Sequence, residues 1–180
     1  MELALRVVAW LGNSPDSGLT FDGKVPDAGM LQAYSDSDWD VKPSVTGYVL
    51  QFGGASVAWH SARQLCIASS STHAEIIAAS DAALEAVYMR GILAEMGFRQ
   101  TEPTVLKVDN SGALELSRDL KSCQRSRHIE RRYLKVRELV AAGEVVVEHI
   151  STKDNPADLF TKSTLDMSTF SRHAKTVKNE

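Results

Sequence analysis

The sequence predicts an α/β fold in which a mixed five-stranded sheet, three antiparallel strands followed by two parallel ones, is flanked by helices. Three strand-like segments joined by short turns lie between residues 31 and 61, and a long helix with an apolar stripe follows them. Two further strand-like segments are each reached through a helix. Strands joined by short turns pair in antiparallel fashion, whereas strands reached through a helix favour parallel pairing. The 180 residues suit one such domain with a sizeable core.

Residues 1–29 are predicted to form an arm outside this core. Residues 1–11 have a helical pattern of apolar side chains, and residues 12–18 are a cluster of helix breakers. The main domain is predicted at 30–165. The last segment, 166–180, is predicted to be a polar C-terminal tail.

The strands are predicted at 31–37, 45–52, 55–61, 104–108 and 145–150. Gly53 and Gly54, between the second and third strands, are the strongest hairpin signal in the chain. The fourth strand ends at Asp109. Trp39 and Trp59 are expected to be core residues.

The long helix is predicted to begin near Thr72 and to end near Gly97. Thr72 and Glu75 have the spacing of a capping box, and an apolar stripe follows them at helical spacing. A short helix is predicted to follow residues 109–111 and to run to about residue 118, and another helix is predicted at 128–142, where Gly143 ends it. Asn155 and Pro156 open a last helix that runs to about residue 161.

The composition excludes several classes of protein. It is 43% hydrophobic and 24% charged, which is ordinary for a globular domain. No apolar run approaches the ~18 residues that a membrane helix needs, so we expect no membrane partner. Cys66 and Cys123 cannot form a zinc site by themselves and do not indicate a disulfide framework. We therefore expect reduced thiols and an intracellular location.

The positive charge is concentrated in one segment. The net charge is −3, but residues 121–137 contain seven Lys or Arg and one acid, which makes that segment +6. Arg127, Arg131 and Lys135 lie on one face of the predicted helix, with Lys121 and Arg125 in the loop before it. An ordinary solvated face is the alternative. We favour a track that binds phosphate backbones.

Four acids stand where the elements of the predicted sheet meet. Asp36 lies at the end of the first strand, Glu75 at the start of the long helix, Asp109 at the end of the fourth strand and Asp158 at the start of the last helix. Ends of neighbouring parallel strands and adjoining helix starts meet at one edge of a sheet. A two-metal phosphodiesterase needs several carboxylates converging in this way, because hard cations take oxygen ligands.

Each of these acids also has an ordinary structural interpretation. Asp36 could cap a turn, and Asp38 rivals it as the acid of the first strand. Glu75 could be only the acid of the capping box, Asp109 an N-cap, and Asp158 an acid that favours the helix dipole. Taken singly, the ordinary interpretation of each acid is favoured over a role as a metal ligand. Together, in this order of elements, the four favour a metal site.

Several ordered motifs resemble the ribonuclease H domains of copia-type retrotransposon Pol polyproteins. The resemblance covers residues 30 to 163 without a large gap. The segments that carry it are YSDSDW (34–39), GYV (47–49), VAWHS (57–61), SSTHAEI (70–76), DNSGA (109–113), RHIE (127–130) and TKDNPADLFTK (152–162). Residues 4–11 and 18–19 are similar to the end of the reverse transcriptase and its connection.

The resemblance implies a ribonuclease H-like fold and an enzyme that hydrolyses the RNA strand of RNA–DNA hybrids during reverse transcription. The four acids of that family carry over to Asp36, Glu75, Asp109 and Asp158, as ligands of two Mg²⁺ ions for which Mn²⁺ can substitute. Asp36 would bridge both ions. The products would have 5′-phosphate and 3′-hydroxyl ends. The implied partners are the hybrid and a reverse transcriptase in the same polyprotein, in the cytoplasm, in virus-like particles or in the nucleus.

Other points stay open at this stage. Asp154 rivals Asp158 as the last acid, and His73 stands where relatives often carry a further acid. His149 is interpreted as a sheet residue, with proton transfer as the less favoured alternative. Asn110 is a candidate contact to the 2′-hydroxyls of the RNA strand.

Two other functions compete with the enzyme. One is a catalytically silent module that binds hybrids or supports a reverse transcriptase. The other is a different nuclease of the same fold, such as a junction resolvase, whose motif spacing differs from the one found here.

Overall fold

The computed structural model describes residues 2–40, 42–110, 127–162 and 165–180. Within these ranges the chain forms four α-helices and five strands. The helices are α1 (Glu2–Asn13), α2 (Ser71–Glu95), α3 (Arg127–Ala141) and α4 (Met167–Lys178). The strands are β1 (Gln32–Asp38), β2 (Val45–Phe52), β3 (Ala55–Arg63), β4 (Thr104–Val108) and β5 (Val145–His149). Two 3₁₀ helices follow β5, at Thr152–Asp154 and Pro156–Phe160. The short helix predicted after residue 111 falls outside the described residues.

The five strands form one mixed sheet in the order β3-β2-β1-β4-β5. β1 pairs antiparallel with β2, and β2 pairs antiparallel with β3. β4 pairs parallel with the central strand β1, and β5 pairs parallel with β4. The predicted fold class is confirmed, because short turns do join the first three strands and helical segments do precede the last two.

The two faces of the sheet are covered by different helices. On one face Leu50 and Leu106 are completely buried in the main core, together with Val136 of α3 and the small side chains of α2. The alanines of that helix, which allow it to approach the sheet closely, include Ala78, Ala79, Ala82, Ala83 and Ala86. The opposite face holds a smaller cluster of Tyr34, Val49, Ala157, Phe160 and Val177. β1 is therefore buried on both sides, and a charged side chain on it is withdrawn from water.

Helix α2 begins earlier than the capping-box pattern predicts. Its N-cap is Ser70, whose Oγ accepts a hydrogen bond of 3.1 Å from the backbone N–H of His73. Because the cap is Ser70 and not Thr72, Glu75 does not occupy the position of a capping-box acid. The capping interpretation of Glu75 is wrong, and its carboxylate is used elsewhere.

The C-terminal segment is a packed helix where the sequence predicted a polar tail. Asp166 caps α4 by accepting hydrogen bonds from the backbone N–H groups of Ser168 and Thr169, both 3.0 Å. His173 of this helix is 1% exposed. The helix packs on β3 and on the 3₁₀ helix Pro156–Phe160, and its Val177 joins the smaller apolar cluster on the second face of the sheet.

The N-terminal arm is only partly an appendage. The apolar side chains of α1 are exposed, with Leu5 at 64%. Farther along, the backbone N–H of Thr20 donates to the carbonyl of Lys178 at 2.9 Å, and that of Asp22 donates to Gly53 at 2.8 Å. These bonds tie the second half of the arm to α4 and to the β2–β3 hairpin. The domain boundaries at 29/30 and 165/166 remain predictions.

The prediction that Trp39 and Trp59 are core residues is wrong. Trp59 is 57% exposed because it lies on the edge strand β3, and Trp39 is 39% exposed in the loop after β1. The Trp39 indole donates a hydrogen bond of 3.4 Å to the carbonyl of Ala68. Among the described residues, no helix is long and apolar enough to cross a membrane.

Gly47 allows the 3₁₀ helix Pro156–Phe160 to lie directly on β2. A Cβ at Gly47 would lie 2.6 Å from Thr161 Cγ2 and 2.9 Å from Phe160 Cβ. Contacts this short require the backbone to move, because the neighbouring atoms are not the ends of flexible side chains. Gly91 in α2 offers a contrast, since a Cβ there would meet no atom within 4 Å.

We predict that Gly47→Ala lowers the free energy of unfolding by about 1–3 kcal/mol through overpacking. The matched control Gly91→Ala should be neutral or should stabilise the protein by up to about 1 kcal/mol, because alanine favours the helix. Urea unfolding measures both. Wild-type stability in Gly47→Ala would contradict the close packing of the 3₁₀ helix on β2.

Candidate active site

The four predicted acids approach one another at one edge of the sheet. Asp36 lies near the carboxyl end of β1, and Asp109 directly follows β4. Because β1 and β4 are parallel neighbours, these two ends lie side by side. Asp158 comes from the 3₁₀ helix Pro156–Phe160, which packs on β1 and β2, and Glu75 comes from the N-terminal part of α2.

Three of the acids form a compact group. Each of Asp36, Asp109 and Asp158 offers an oxygen that lies within 4.8 Å of the others. Asp36 and Asp158 are 2% and 4% exposed, and Asp109 is half-buried. Among the described residues, the rivals Asp38 and Asp154 do not belong to this group.

Glu75 joins the site through β1. Its Oε1 accepts hydrogen bonds from the backbone N–H and the hydroxyl of Ser37, at 3.2 and 2.8 Å. Glu75 is 6% exposed, and its charge interacts with that of Asp36. The long helix is therefore held by its buried acid to the strand that carries the central aspartate.

Asn155 fixes the turn that carries Asp158. It is fully buried, and its Nδ2 donates to the carbonyl of Ser35 at 2.9 Å. Its Oδ1 accepts from the backbone N–H of Ala157 at 3.2 Å. One side chain thus joins β1 to the first turn of the 3₁₀ helix. The sequence signalled Asn155 only as the start of a helix.

Thr161 and Lys162 also lie in the site, although the sequence did not predict either of them. The Thr161 hydroxyl donates a hydrogen bond to Asp36 Oδ2. The Lys162 Nζ lies 2.7 Å from Asp158 Oδ2 and 3.9 Å from Asp36 Oδ2. The spacing of Asp158 and Lys162, four residues apart, is the available sequence signal for the second contact.

Burial changes the protonation of the site. Burial raises the pKa of Asp36 to about 6, helped by the charges of Asp158 and Asp109 and opposed by the Thr161 hydrogen bond and Lys162. Burial, followed by the charge of Asp36, raises the pKa of Glu75 to about 8 against the hydrogen bonds from Ser37. At both groups the effect of burial therefore outweighs the contacts that favour the ionised form.

The donor set fits a divalent cation. Asp158 Oδ1 and Glu75 Oε2 are buried and have no hydrogen-bond partner within the described part of the chain. A buried carboxylate oxygen without a partner is costly, and a hard cation with oxygen ligands removes that cost. A bound cation would offset the repulsion between these buried carboxylates and would supply a partner for the unpartnered oxygens.

The predicted nucleic-acid contacts are only partly within the described structure. Asn110 is half-buried next to Asp109. Lys135 is half-buried on α3 and pairs with Glu138 at 3.4 Å. The backbones of Arg127 and Arg131 belong to α3, but their side chains lie outside the described part, and so do the whole residues Lys121 and Arg125.

His149 is the last residue of β5 and is exposed, as expected of a sheet residue.

Comparisons with known proteins agree with this geometry. The chain is 36% identical over 160 residues to the retrovirus-related Pol polyprotein from transposon TNT 1-94 of Nicotiana tabacum. It is 33% identical over 179 residues to that from transposon RE2 of Arabidopsis thaliana. These matches cover 87% and 96% of the chain. Its homologues are retrovirus-related Pol polyproteins of plant copia-type transposons. The chain spans 12% of the length of each of these two Pol homologues.

The structure resembles solved ribonucleases H. LC11-RNase H1, isolated from compost, matches with a TM-score of 0.58 at 16% identity, covering 74% of this chain and 93% of that protein. The same enzyme in complex with an RNA/DNA hybrid matches with a TM-score of 0.54 at 14% identity, over 77% of this chain and 98% of that one. The fold is therefore ribonuclease H-like. No protein-family model matches the chain.

The raised pKa values predict a metal-free protein that loses stability as the pH rises. The folded state keeps a proton on Glu75 up to about pH 8, whereas the unfolded chain releases it near 4.5. The contribution of this group to stability is therefore fully present below pH 4.5 and is lost as the pH rises to about 8. With EDTA present, we expect a loss on the order of 3 kcal/mol across this window.

Urea unfolding at several pH values measures this loss. Glu75→Gln should remove most of it, while Glu148→Gln, a change at an exposed position of β5, should not. A wild-type protein whose metal-free stability rises from pH 5 to pH 8 would contradict the proposed burial of the carboxylates.

Proposed function

We propose that this chain is a ribonuclease H that hydrolyses the RNA strand of RNA–DNA hybrids during reverse transcription of a retrotransposon. The products would be 5′-phosphate and 3′-hydroxyl ends. The observation that carries the proposal is the group of three carboxylates, within 4.8 Å of one another, at the end of the central strand of a ribonuclease H-like sheet. Homology to Pol polyproteins supports the retrotransposon origin.

The proposed ligands of two Mg²⁺ ions, or of Mn²⁺ in their place, are Asp36, Glu75, Asp109 and Asp158. Bound metal would activate the attacking water and stabilise the leaving 3′ oxygen. Hydrogen bonds within the chain orient these carboxylates. Ser37 holds Glu75 by two hydrogen bonds, and the Thr161 hydroxyl holds one oxygen of Asp36. These contacts fix the carboxylates before substrate arrives, which lowers the cost of reorganisation during the reaction.

Two observations support an RNA–DNA hybrid as the substrate: the similarity to a solved ribonuclease H and the positive charge of one segment. LC11-RNase H1, which shares the fold, has been solved with an RNA/DNA hybrid. In this chain the segment 121–137 carries an excess of six positive charges, and part of this segment belongs to α3. Phosphate contacts from this segment, with Asn110 toward the RNA strand, would set affinity without reading sequence. A reverse transcriptase in the same polyprotein is the proposed partner.

We predict metal-dependent cutting of the RNA strand alone when a labelled hybrid is incubated with Mg²⁺. Asp109→Asn should lower the cleavage rate by on the order of a hundredfold or more, as loss of a central electrostatic contribution does. Asp109 is half-buried, so this change is less disruptive to folding than one at Asp36. The exposed Asp154→Asn serves as the matched control and should cleave at the wild-type rate.

A wild-type protein that binds the hybrid without cutting it would favour the silent binding module. Cutting that ignores linear hybrids and requires branched DNA would favour a junction resolvase. Equal losses in Asp109→Asn and Asp154→Asn would contradict the assignment of the site.

A separate prediction concerns the basic face of α3. Lys135→Gln should weaken hybrid binding by a similar factor for all sequences, and it should reduce the slope of log affinity against log salt by about 1. Fluorescence anisotropy at several salt concentrations measures both quantities. Lys175→Gln on α4 is the control, and an unchanged slope in Lys135→Gln would remove this residue from the phosphate track.

A further inference from the structure

Lys162 lies in the acidic group, although the proposed chemistry makes no use of it. Its ammonium contacts one oxygen of Asp158 at 2.7 Å and is 3.9 Å from one oxygen of Asp36. The side chains of these two aspartates are only 5% and 3% exposed. A positive charge that reaches two buried carboxylates interacts with the same group that a metal ion would need.

The local backbone explains why the ammonium lies there. The backbone N–H of Lys162 donates to the carbonyl of Asp158 at 3.0 Å, which places the two residues one turn apart on the same side of the chain. Thr161, the residue before, turns its hydroxyl to Asp36. The end of the 3₁₀ helix thus supplies a hydroxyl to one aspartate and an ammonium to the other.

Unlike the aspartates, Lys162 has access to water. Its side chain is 34% exposed, whereas Thr161 is 8% exposed. A lysine ammonium is compact, strongly hydrated and carried on a flexible stem. It can therefore leave the carboxylates and return to solvent, while the carboxylates remain where the strand and the 3₁₀ helix hold them.

We propose that Lys162 is a resident counter-ion of the acidic group, which a divalent cation must displace in order to bind. The inference rests on the proposed metal site. Before metal binds, the ammonium offsets the repulsion between Asp36 and Asp158 and so helps to keep the metal-free chain folded. When metal binds, the same contact is a competitor. Lys162 therefore sets the concentration of cation that the site requires.

The test is calorimetric titration of MnCl₂ into the whole 180-residue chain, combined with thermal unfolding in EDTA. Lys162→Gln should bind Mn²⁺ about tenfold more tightly than the wild type, which corresponds to about 1.4 kcal/mol. In EDTA it should melt at a lower temperature. The control Lys153→Gln removes the same charge from an exposed lysine in the neighbouring 3₁₀ helix and should change neither quantity. Lys162→Arg keeps the charge and should bind Mn²⁺ no more tightly than the wild type.

Three results would overturn the proposal, and they differ in which part of it they contradict. If wild type binds Mn²⁺, Asp158→Asn does not, and Lys162→Gln binds no more tightly than wild type, the metal site stands and the counter-ion role fails. If wild type, Lys162→Gln and Asp158→Asn give the same isotherm, Mn²⁺ does not bind at the acidic group. In that case both the counter-ion role of Lys162 and the proposed function are contradicted. Tighter binding by Lys162→Arg would also overturn the role of charge.

Discussion

Buried carboxylates of like charge dominate this structure. Asp36 and Asp158 are almost completely withdrawn from water, and an oxygen of each lies within 4.8 Å of the other and of Asp109. Carboxylates in such surroundings repel one another and lack hydration, so the fold must hold them in place by other means. The raised pKa values of Asp36 and Glu75 are the direct result. A protein accepts this cost at a functional site and compensates for it elsewhere.

The compensation comes from the packing around the 3₁₀ helix that carries Asp158. Asn155 fastens the start of this helix to β1 by a buried hydrogen bond, and Gly47 leaves space for its far end on β2. Lys162 then brings positive charge to the acids. On the outside, the same 3₁₀ helix is covered by α4, which is itself hydrogen-bonded to the N-terminal arm. The segments on either side of the predicted domain therefore help to hold the acidic group in place.

Much of this arrangement could be predicted from the sequence, and what could not depends on long-range packing. The mixed sheet and the meeting of Asp36 with Asp109 follow from short turns between the first three strands and helical crossovers before the last two, which are local signals. The contacts of Lys162 with Asp158 and Asp36 could not be predicted from the sequence. They depend on the conformation of the turn after Asp158 and on the burial of both aspartates, which only the folded structure shows. The wrong capping assignment at Thr72 arose because several hydroxyls precede α2, and tertiary contacts of Glu75 decided among them. Helix α4 was missed because a mostly polar segment shows its few buried positions only when a partner surface exists.

Anomalous scattering from crystals grown with Mn²⁺ would show whether the acidic group binds a divalent cation. We expect a strong anomalous peak against the carboxylates of Asp36, Asp109 and Asp158, with the Lys162 ammonium moved away from Asp158. Crystals that contain Mn²⁺ but show no peak at this group, with Lys162 still bonded to Asp158, would contradict it.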